Sequence, residues 1–480
     1  MGITAPPPVS ESPLVRIAGD LWTELAALGA YPPGPAGLSA RRTHRMAHDP
    51  LPILLDCYER YGPVFSMRVL HGRMVFMLGP EANHYMLVSH AHNFRWRESS
   101  FGDLIPLLGD GLLTIDGDYH RRARRIMLPA FHHERIAASV ETMVHETCGA
   151  LERWRIGEPV DVHRWARELA MRIAMRALLG LDPADAGNGE RAARHFARAL
   201  AFYGTEYPLR IPRGPGSPWR RMQASRRVLH EIVQAEIARR RERPDPERSD
   251  VLSLLLEARD ADGSGLTDQE LRDQVMTLMF AGHDTSTSTV SFLLYELARH
   301  PHALDRVLAE QDRVLGSRSP SASDLAGGLP ELDMALDEVL RLYPPAWVGP
   351  RRAVEAFHFA GRRVPAGAHV NYCSWASHRL PDVFPEPEAF IPERFAPERK
   401  RLLPKGAYVP FGGGSRTCIG MRFGQTEVKA VATLVLQRFR PELTPGRTMT
   451  VRQMPTLSPR GGLRMIVRER AASGALQRAS

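Results

Sequence analysis

The stretch from Thr267 to about His300 constrains the fold more than any other part of the chain. Thr267-Asp-Gln-Glu270 forms a capping box, in which the Thr267 side chain accepts from the helix amides and the Glu270 carboxylate returns to the cap. The helix it opens is roughly 33 residues long, about 50 Å at the usual rise, enough to cross a whole domain. Its centre, Ala281-Gly-His-Asp-Thr-Ser-Thr-Ser-Thr289, collects poor helix formers whose hydroxyls compete for backbone hydrogen bonds. That composition predicts an interruption in mid-helix. Ala281, Thr285, Ser288 and Phe292 fall on one face, and the small side chains leave room there for a flat ligand. Asp284-Thr285 sets an acid beside an alcohol, which could relay protons. A polar seam between packed helices explains the same residues, and this segment alone does not choose.

Most of the remaining chain also reads as helical: Pro50 to Tyr61, Ile136 to Gly180, Glu190 to Tyr203, Pro218 to Arg243 and Glu331 to Leu342. Gly62 to Gly79 alternates like a hairpin turning at His71-Gly72, and a second hairpin is expected from Phe357–Ala360 and His369–Cys373. Prolines and glycines between Tyr207 and Trp219 exclude regular structure there. The net charge of +9 is mostly arginine, without a Lys/Arg block interleaved with aromatics. Nucleic acid is therefore not expected, and an acidic protein or a membrane surface fits better. Four cysteines without C-x-x-C pairs argue against zinc and against a disulfide framework, and suit a reducing cytoplasm.

Residues Met1 to about Ser12 lack a signal-peptide layout, and no run reaches the roughly 18 apolar residues that span a bilayer. Pro13 to Tyr31 is expected to form a short amphipathic helix with Leu14, Val15, Ile17, Leu21, Trp22, Leu25 and Leu28. Packing on its own domain is one reading of it. Peripheral membrane contact is the other.

One thiol, Cys418, lies in Phe411-Gly-Gly-Gly-Ser-Arg-Thr-Cys-Ile-Gly420, at the entrance of a further helix. Helix amides and dipole favour a thiolate there, which is the form that ligates a metal. An ordinary turn with a buried cysteine competes with this reading. An anion nest and a cysteine nucleophile also compete, although neither local signature is present. Upstream, His120 and Arg124 share a helix face and could pair with two carboxylates of a ligand. Glu338 and Arg341, at i,i+3, are by themselves a weak signal. A proline-rich irregular stretch from Pro381 to Pro410 delivers the chain to Phe411.

The spacing F-x-x-G-x-R-x-C-x-G resembles the haem-binding loop of the cytochrome P-450 superfamily. Ala281-Gly-x-Asp-Thr-Ser286 resembles that family's oxygen-activation motif. Glu338-x-x-Arg341 followed by Leu-Tyr-Pro-Pro345, and then Pro392-Glu-Arg-Phe395, complete the pattern in the family's order. The resemblance implies a mainly α fold with a small β-rich subregion. It implies one haem-thiolate domain over residues 49–470, after an N-terminal segment and proline-rich linker (1–48) and before a flexible tail (471–480).

The cofactor implied is haem b with Cys418 as its metal ligand. His120, Arg124, Arg351 and Arg416 would hold its propionates, with Arg352 competing for the place of Arg351. Phe411 would shield the sulfur, and Ala281 and Gly420 would border the ring. Asp284 and Thr285 would be catalytic, and Glu338, Arg341 and Arg394 would lock the scaffold. The resemblance places Phe94, Trp96, Phe101, Trp347, Val348 and Leu457 at a substrate pocket.

The activity implied is monooxygenation: one atom of dioxygen enters an apolar small molecule (fatty acid, sterol, terpenoid or polyketide) by hydroxylation or epoxidation. The chain carries no flavin or iron–sulfur motif and is short for a fused reductase. Electrons are therefore expected from a separate ferredoxin with its reductase, or a flavodoxin-type donor. It would dock on Arg121, Arg122, Arg125, Arg399, Lys400, Arg401 and Arg422. A haem-thiolate isomerase or dehydratase is the first alternative, against which the intact Asp284-Thr285 pair argues. A non-catalytic haem-binding gas sensor is the second, against which the lack of a signalling module argues. The expected location is the cytoplasm, with peripheral membrane association open.

Overall fold

A computed structural model describes residues 6, 12–27, 30–183, 185, 187–245, 247–446 and 448–470. The tail 471–480, most of the segment before Ser12, and Leu28 lie outside the described residues. The principal helices are α1 (Pro13–Ala26), α2 (Pro50–Tyr61), α3 (Gly117–Met127), α4 (His133–Leu151), α5 (Val162–Leu179), α6 (Asn188–Tyr203), α7 (Pro218–Glu242), α8 (Asp268–Arg299), α9 (Pro330–Leu342) and α10 (Met421–Arg438). Five strands, β1 (Val64–Val69), β2 (Gly72–Met77), β3 (Phe94–Arg95), β4 (Gly349–Ala353) and β5 (His369–Tyr372), make one sheet in the order β1-β2-β5-β4-β3.

Helix α8 is the axle. Its capping box is formed as expected: the Thr267 hydroxyl accepts from the Glu270 amide at 3.2 Å, and Glu270 accepts from the Thr267 amide at 2.8 Å. The expected interruption is absent, and the helix runs unbroken for 32 residues. Four of its hydroxyls bond back one turn and so leave the ladder intact. Thr285 donates to the Ala281 carbonyl (2.7 Å), Thr287 to His283 (2.8 Å), Thr289 to Thr285 (2.9 Å) and Ser291 to Thr287 (2.7 Å). Around this axle pack α5, α7, α9 and α10, and their apolar faces form the larger of two cores. The smaller core lies under the sheet, where Phe94, Tyr85 and Phe357 interlock edge to face and by stacking.

Several expectations need correction. Phe357–Phe359 pairs with Arg362–Val364, whereas β5 pairs with β2 and β4 in the main sheet. The stretch 207–219 does contain a helical turn, Tyr207–Arg210, because Pro208 sits in its first turn, where a missing amide costs nothing. The proline-rich run before Phe411 likewise holds two short helical turns, Pro392–Phe395 and Pro397–Lys400. On α10, where a lysine would ordinarily face solvent, the Lys429 ammonium is buried, bonded to the Leu325 carbonyl and, at 2.6 Å, to Asp333.

Candidate active site

The Cys418 loop is shaped by close packing. Gly412 and Gly414 have φ of 70° and 61°, and a Cβ on Gly414 would lie 2.2 Å from the Leu87 carbonyl oxygen, so only glycine fits. The Cys418 amide donates to the Phe411 carbonyl at 2.9 Å. Phe411 packs on the main core. The thiol is reachable from solvent although protein packs closely around it. Burial raises its pKa, and the Gly420 amide and the Arg124 charge oppose that rise. A Cβ on Gly420 would meet nothing within 4 Å.

The middle of α8 is less closely packed than its two halves. Both halves of the helix are buried, while Phe280, Ala281, Gly282, Asp284 and Thr285 are only partly so. Asp284 is not a poised acid. Arg167 of α5 lies 3.3 Å from its carboxylate and His283 3.2 Å. Burial alone would raise its pKa, but His283, Arg167 and Arg452 outweigh burial and hold it at about 2. At neutral pH it is a carboxylate that can accept and pass on a proton, not a stored one.

Two residues on, the Ser286 hydroxyl donates to Glu427 of α10 at 2.5 Å, tying the two helices together. Glu427 is missing from the sequence reading. It borders a small cavity lined by Ala166, Leu169, Ala170, Val290 and Val431, and burial pushes its pKa up to about 8. Its only sequence signal is a carboxylate inside an apolar helical run.

The expected propionate residues come together. Arg351 on β4 is buried with its guanidinium 3.7 Å from the Trp96 ring centre and 5.4 Å from that of Tyr372. Its recorded hydrogen bond goes to the neighbouring Pro350 carbonyl. Strand alternation sends Arg352 the opposite way, to Asp20 (2.6 Å) and Thr23 of α1, which removes it as a competitor. Arg416 donates to the Ile115 carbonyl (2.7 Å) and to Asp116 (2.6 Å), but its Nη1 is buried without a partner.

Arg124 is half-buried and forms no ion pair among the described residues, and its charge is felt at Cys418. Burial lowers Arg351 to about 10 and Arg416 to about 9. His120 falls to about 3 through burial and then through Arg416, Arg124 and Arg121. Arg416 and Arg351 therefore meet one carboxylate, that of Asp116, while Arg124 adds charge beside Arg416 and His120 lies near both. Asp116 also accepts from the Trp96 and Arg97 amides and leaves the cap of α3 unmade. Asp116 and Tyr372 are further residues that the sequence did not point to.

The pocket expectations divide. Phe94 belongs to the small core beneath the sheet. Trp96 stacks on Phe101 at 4.9 Å and lies under Arg351 and Arg416, so both rings belong with the cations. The Trp347 indole donates to the Gln453 carbonyl at 3.0 Å and meets Trp375 edge-on. Val348 packs partly buried on the main core, and Leu457 is fully buried, its amide bonded to the Pro345 carbonyl at 3.1 Å.

Behind the site, Glu338 and Arg341 are fully buried and bidentate at 2.7 and 2.8 Å. Arg394 reaches Glu338 at 3.3 Å. Arg341 also donates to the carbonyls of His378, Pro387 and Ala389.

Comparison with known proteins agrees with this arrangement. The cytochrome P450 family model matches residues 33–465, and the chain belongs to that family. A cyclooctatin synthase of Streptomyces melanosporofaciens is 36% identical over 75% of this chain and 79% of its own. From the same organism, cyclooctat-9-en-7-ol 5-monooxygenase is 37% identical over 72% of this chain and 75% of its own. Among solved structures, the retinoic-acid-bound cyanobacterial CYP120A1 superposes with a TM-score of 0.81 at 29% identity, covering 92% of this chain and 99% of that one. The protein is a cytochrome P450 monooxygenase, a family whose haem is held by a cysteine thiolate. No helix among the described residues is long and apolar enough to cross a membrane.

Proposed function

We propose that residues 49–470 hold haem b with Cys418 as axial ligand and hydroxylate or epoxidise a largely hydrocarbon small molecule, of terpenoid type. One observation carries the cofactor assignment. Arg351, Arg124 and the orphaned Nη1 of Arg416 are cations gathered in the interior with a single carboxylate among them. Buried charge without a partner is costly, and a dianionic ligand edge supplies the missing partner. A thiolate-ligated haem provides the oxygen chemistry: one atom of dioxygen goes to substrate, and the other, with two electrons and two protons, leaves as water.

The chain's own groups do the rest. His120, Arg124, Arg351 and Arg416 orient the ring edge, while Ala281 and Gly420 leave room for its faces. Thr285 offers a hydroxyl to the open middle of α8, and Asp284, held as a carboxylate by Arg167 and His283, would accept and pass on protons beside it. The substrate class rests on relatives whose names specify an unsaturated alcohol and a bound retinoic acid. It agrees with the apolar lining expected from Trp347, Val348 and Leu457.

For the separate ferredoxin or flavodoxin-type donor, the docking face narrows to Arg399, Arg401 and Arg422, which are exposed and form no ion pair among the described residues. Arg122 is turned inward to Glu270, and Arg121, Arg125 and Lys400 are paired with Asp118, Asp260 and Asp337.

The test is spectroscopic and then isotopic. The reduced carbon-monoxide complex should show the red-shifted Soret band of thiolate ligation, and Cys418→Ala should lose it. Labelled dioxygen should appear in product, at one atom per turnover. Absence of the band in the wild-type protein overturns the cofactor assignment.

A further inference from the structure

Helix α1 is inside out. Its polar face points at the protein: Arg16 pairs with Asp103, Asp20 meets Arg352 at 2.6 Å and His369 at 2.9 Å, and Glu24 pairs with Arg68. The opposite face, by the helical period, carries Leu14, Val15, Trp22 and Leu25, and all four are exposed, Trp22 at 75%. No residue of α1 is buried. A surface helix ordinarily turns its apolar stripe to the core. Here ion pairs hold the helix so that the stripe faces away.

Two neighbours extend this surface. The ring of Tyr207 lies by the Arg16–Asp103 pair, and the helical turn it opens exposes Leu209. Five residues past α1, Tyr31 and then Pro32 line a hollow with Arg362 and Arg363. Both arginines are exposed and neither forms an ion pair among the described residues.

We propose that the outer face of α1, with Arg362 and Arg363 beside it, docks this enzyme onto an anionic lipid surface. A single helix standing on a body is a convex ridge, which sinks into a fluid interface, whereas a folded partner needs a matching groove. Trp22 at the border of the stripe, leucines within it and unpaired arginines at its edge fit the boundary between acyl chains and negative headgroups. The helix lies along the membrane and does not span it. The proposal is independent of the haem assignment, so either can fail alone.

The full-length haem-loaded enzyme is mixed with phosphatidylcholine vesicles with and without phosphatidylglycerol and sedimented. Binding should require phosphatidylglycerol, weaken with salt and shift tryptophan emission to the blue. Leu14→Ser with Trp22→Ser and Leu25→Ser should abolish it. Arg362→Gln with Arg363→Gln should weaken it by roughly thirty-fold, about fivefold per charge. Neither variant should alter the reduced carbon-monoxide spectrum, because none of these residues is placed at the haem site. Failure to bind, or binding unchanged in the triple variant, overturns the proposal. So does a dimer in solution that the triple variant dissociates, since a second copy would then cover the face.

Discussion

Two buried clusters of charge in this protein are built on opposite terms. In the Glu338–Arg341–Arg394 network every group is answered: Glu338 accepts from two arginines and the Ile391 amide, and Arg341 donates to a carboxylate and three carbonyls. Beside the Trp96 ring, Arg351 and Arg416 share one carboxylate, with Arg124 and His120 close by, and a buried donor is left bare. The first cluster is complete in the protein alone. The second is not, and on the proposed function the haem edge completes it, which would separate a site from a scaffold.

The sharpest way to break this comparison is at the complete cluster. Arg341→Leu strands the Glu338 carboxylate and should cost about 3–5 kcal/mol, read as a fall in urea midpoint with or without haem. A stable variant would show that the network is dispensable.

Glu427 should give the next largest effect, as a buried acid answered by a hydroxyl instead of a cation. Unfolded, it ionises near its ordinary 4.5; folded, it holds its proton to about 8. Between those values the folded chain binds the extra proton, so stability falls as pH rises through that window, by about 1.4 kcal/mol per unit. Glu427→Gln should keep the Ser286 contact and flatten the decline. A wild-type midpoint that does not fall between about pH 5 and about pH 8 would contradict the assignment.

At the incomplete cluster the sign should differ. Arg351→Met relieves repulsion in the ligand-free chain, so apoprotein stability should hold or rise. Haem transfer to a scavenging protein should accelerate by roughly 10–100-fold, the worth of one charged hydrogen bond. If the apoprotein falls as far as Arg341→Leu does, Arg351 is scaffold as well. The smallest effect is a titration: His120, held near 3 by burial and arginine charge, should move up toward 6.5 on haem loading, followed by its ring resonances. No movement would take His120 away from the propionates.

Much of the site was legible because it is written in short spacings. Cys418 with its glycines, Thr285 in its small-residue run and Glu338 with Arg341 are local patterns whose chemistry needs those residues in that order. The partners that complete them were not. Asp116 joins Arg416 across 300 residues of chain, and Glu427 meets Ser286 between two helices. Phe94 and Trp96, two residues apart in one aromatic run, went to different places: Phe94 to the core under the sheet and Trp96 to the cations.

By itself, the sequence determined the long capped helix, the thiol loop before α10 and the mainly helical class, because capping, glycine geometry and 3.6-residue periodicity act over a few residues. Only the tertiary structure decided which charges found partners. It kept α8 unbroken by turning four hydroxyls back to their own helix and sending that of Ser286 across to Glu427, sent Arg351 inward and Arg352 out to Asp20 on neighbouring pleats of one strand, and turned α1's apolar stripe away from the protein. Those outcomes depend on desolvation and pairing, which are set by neighbours far away in the chain.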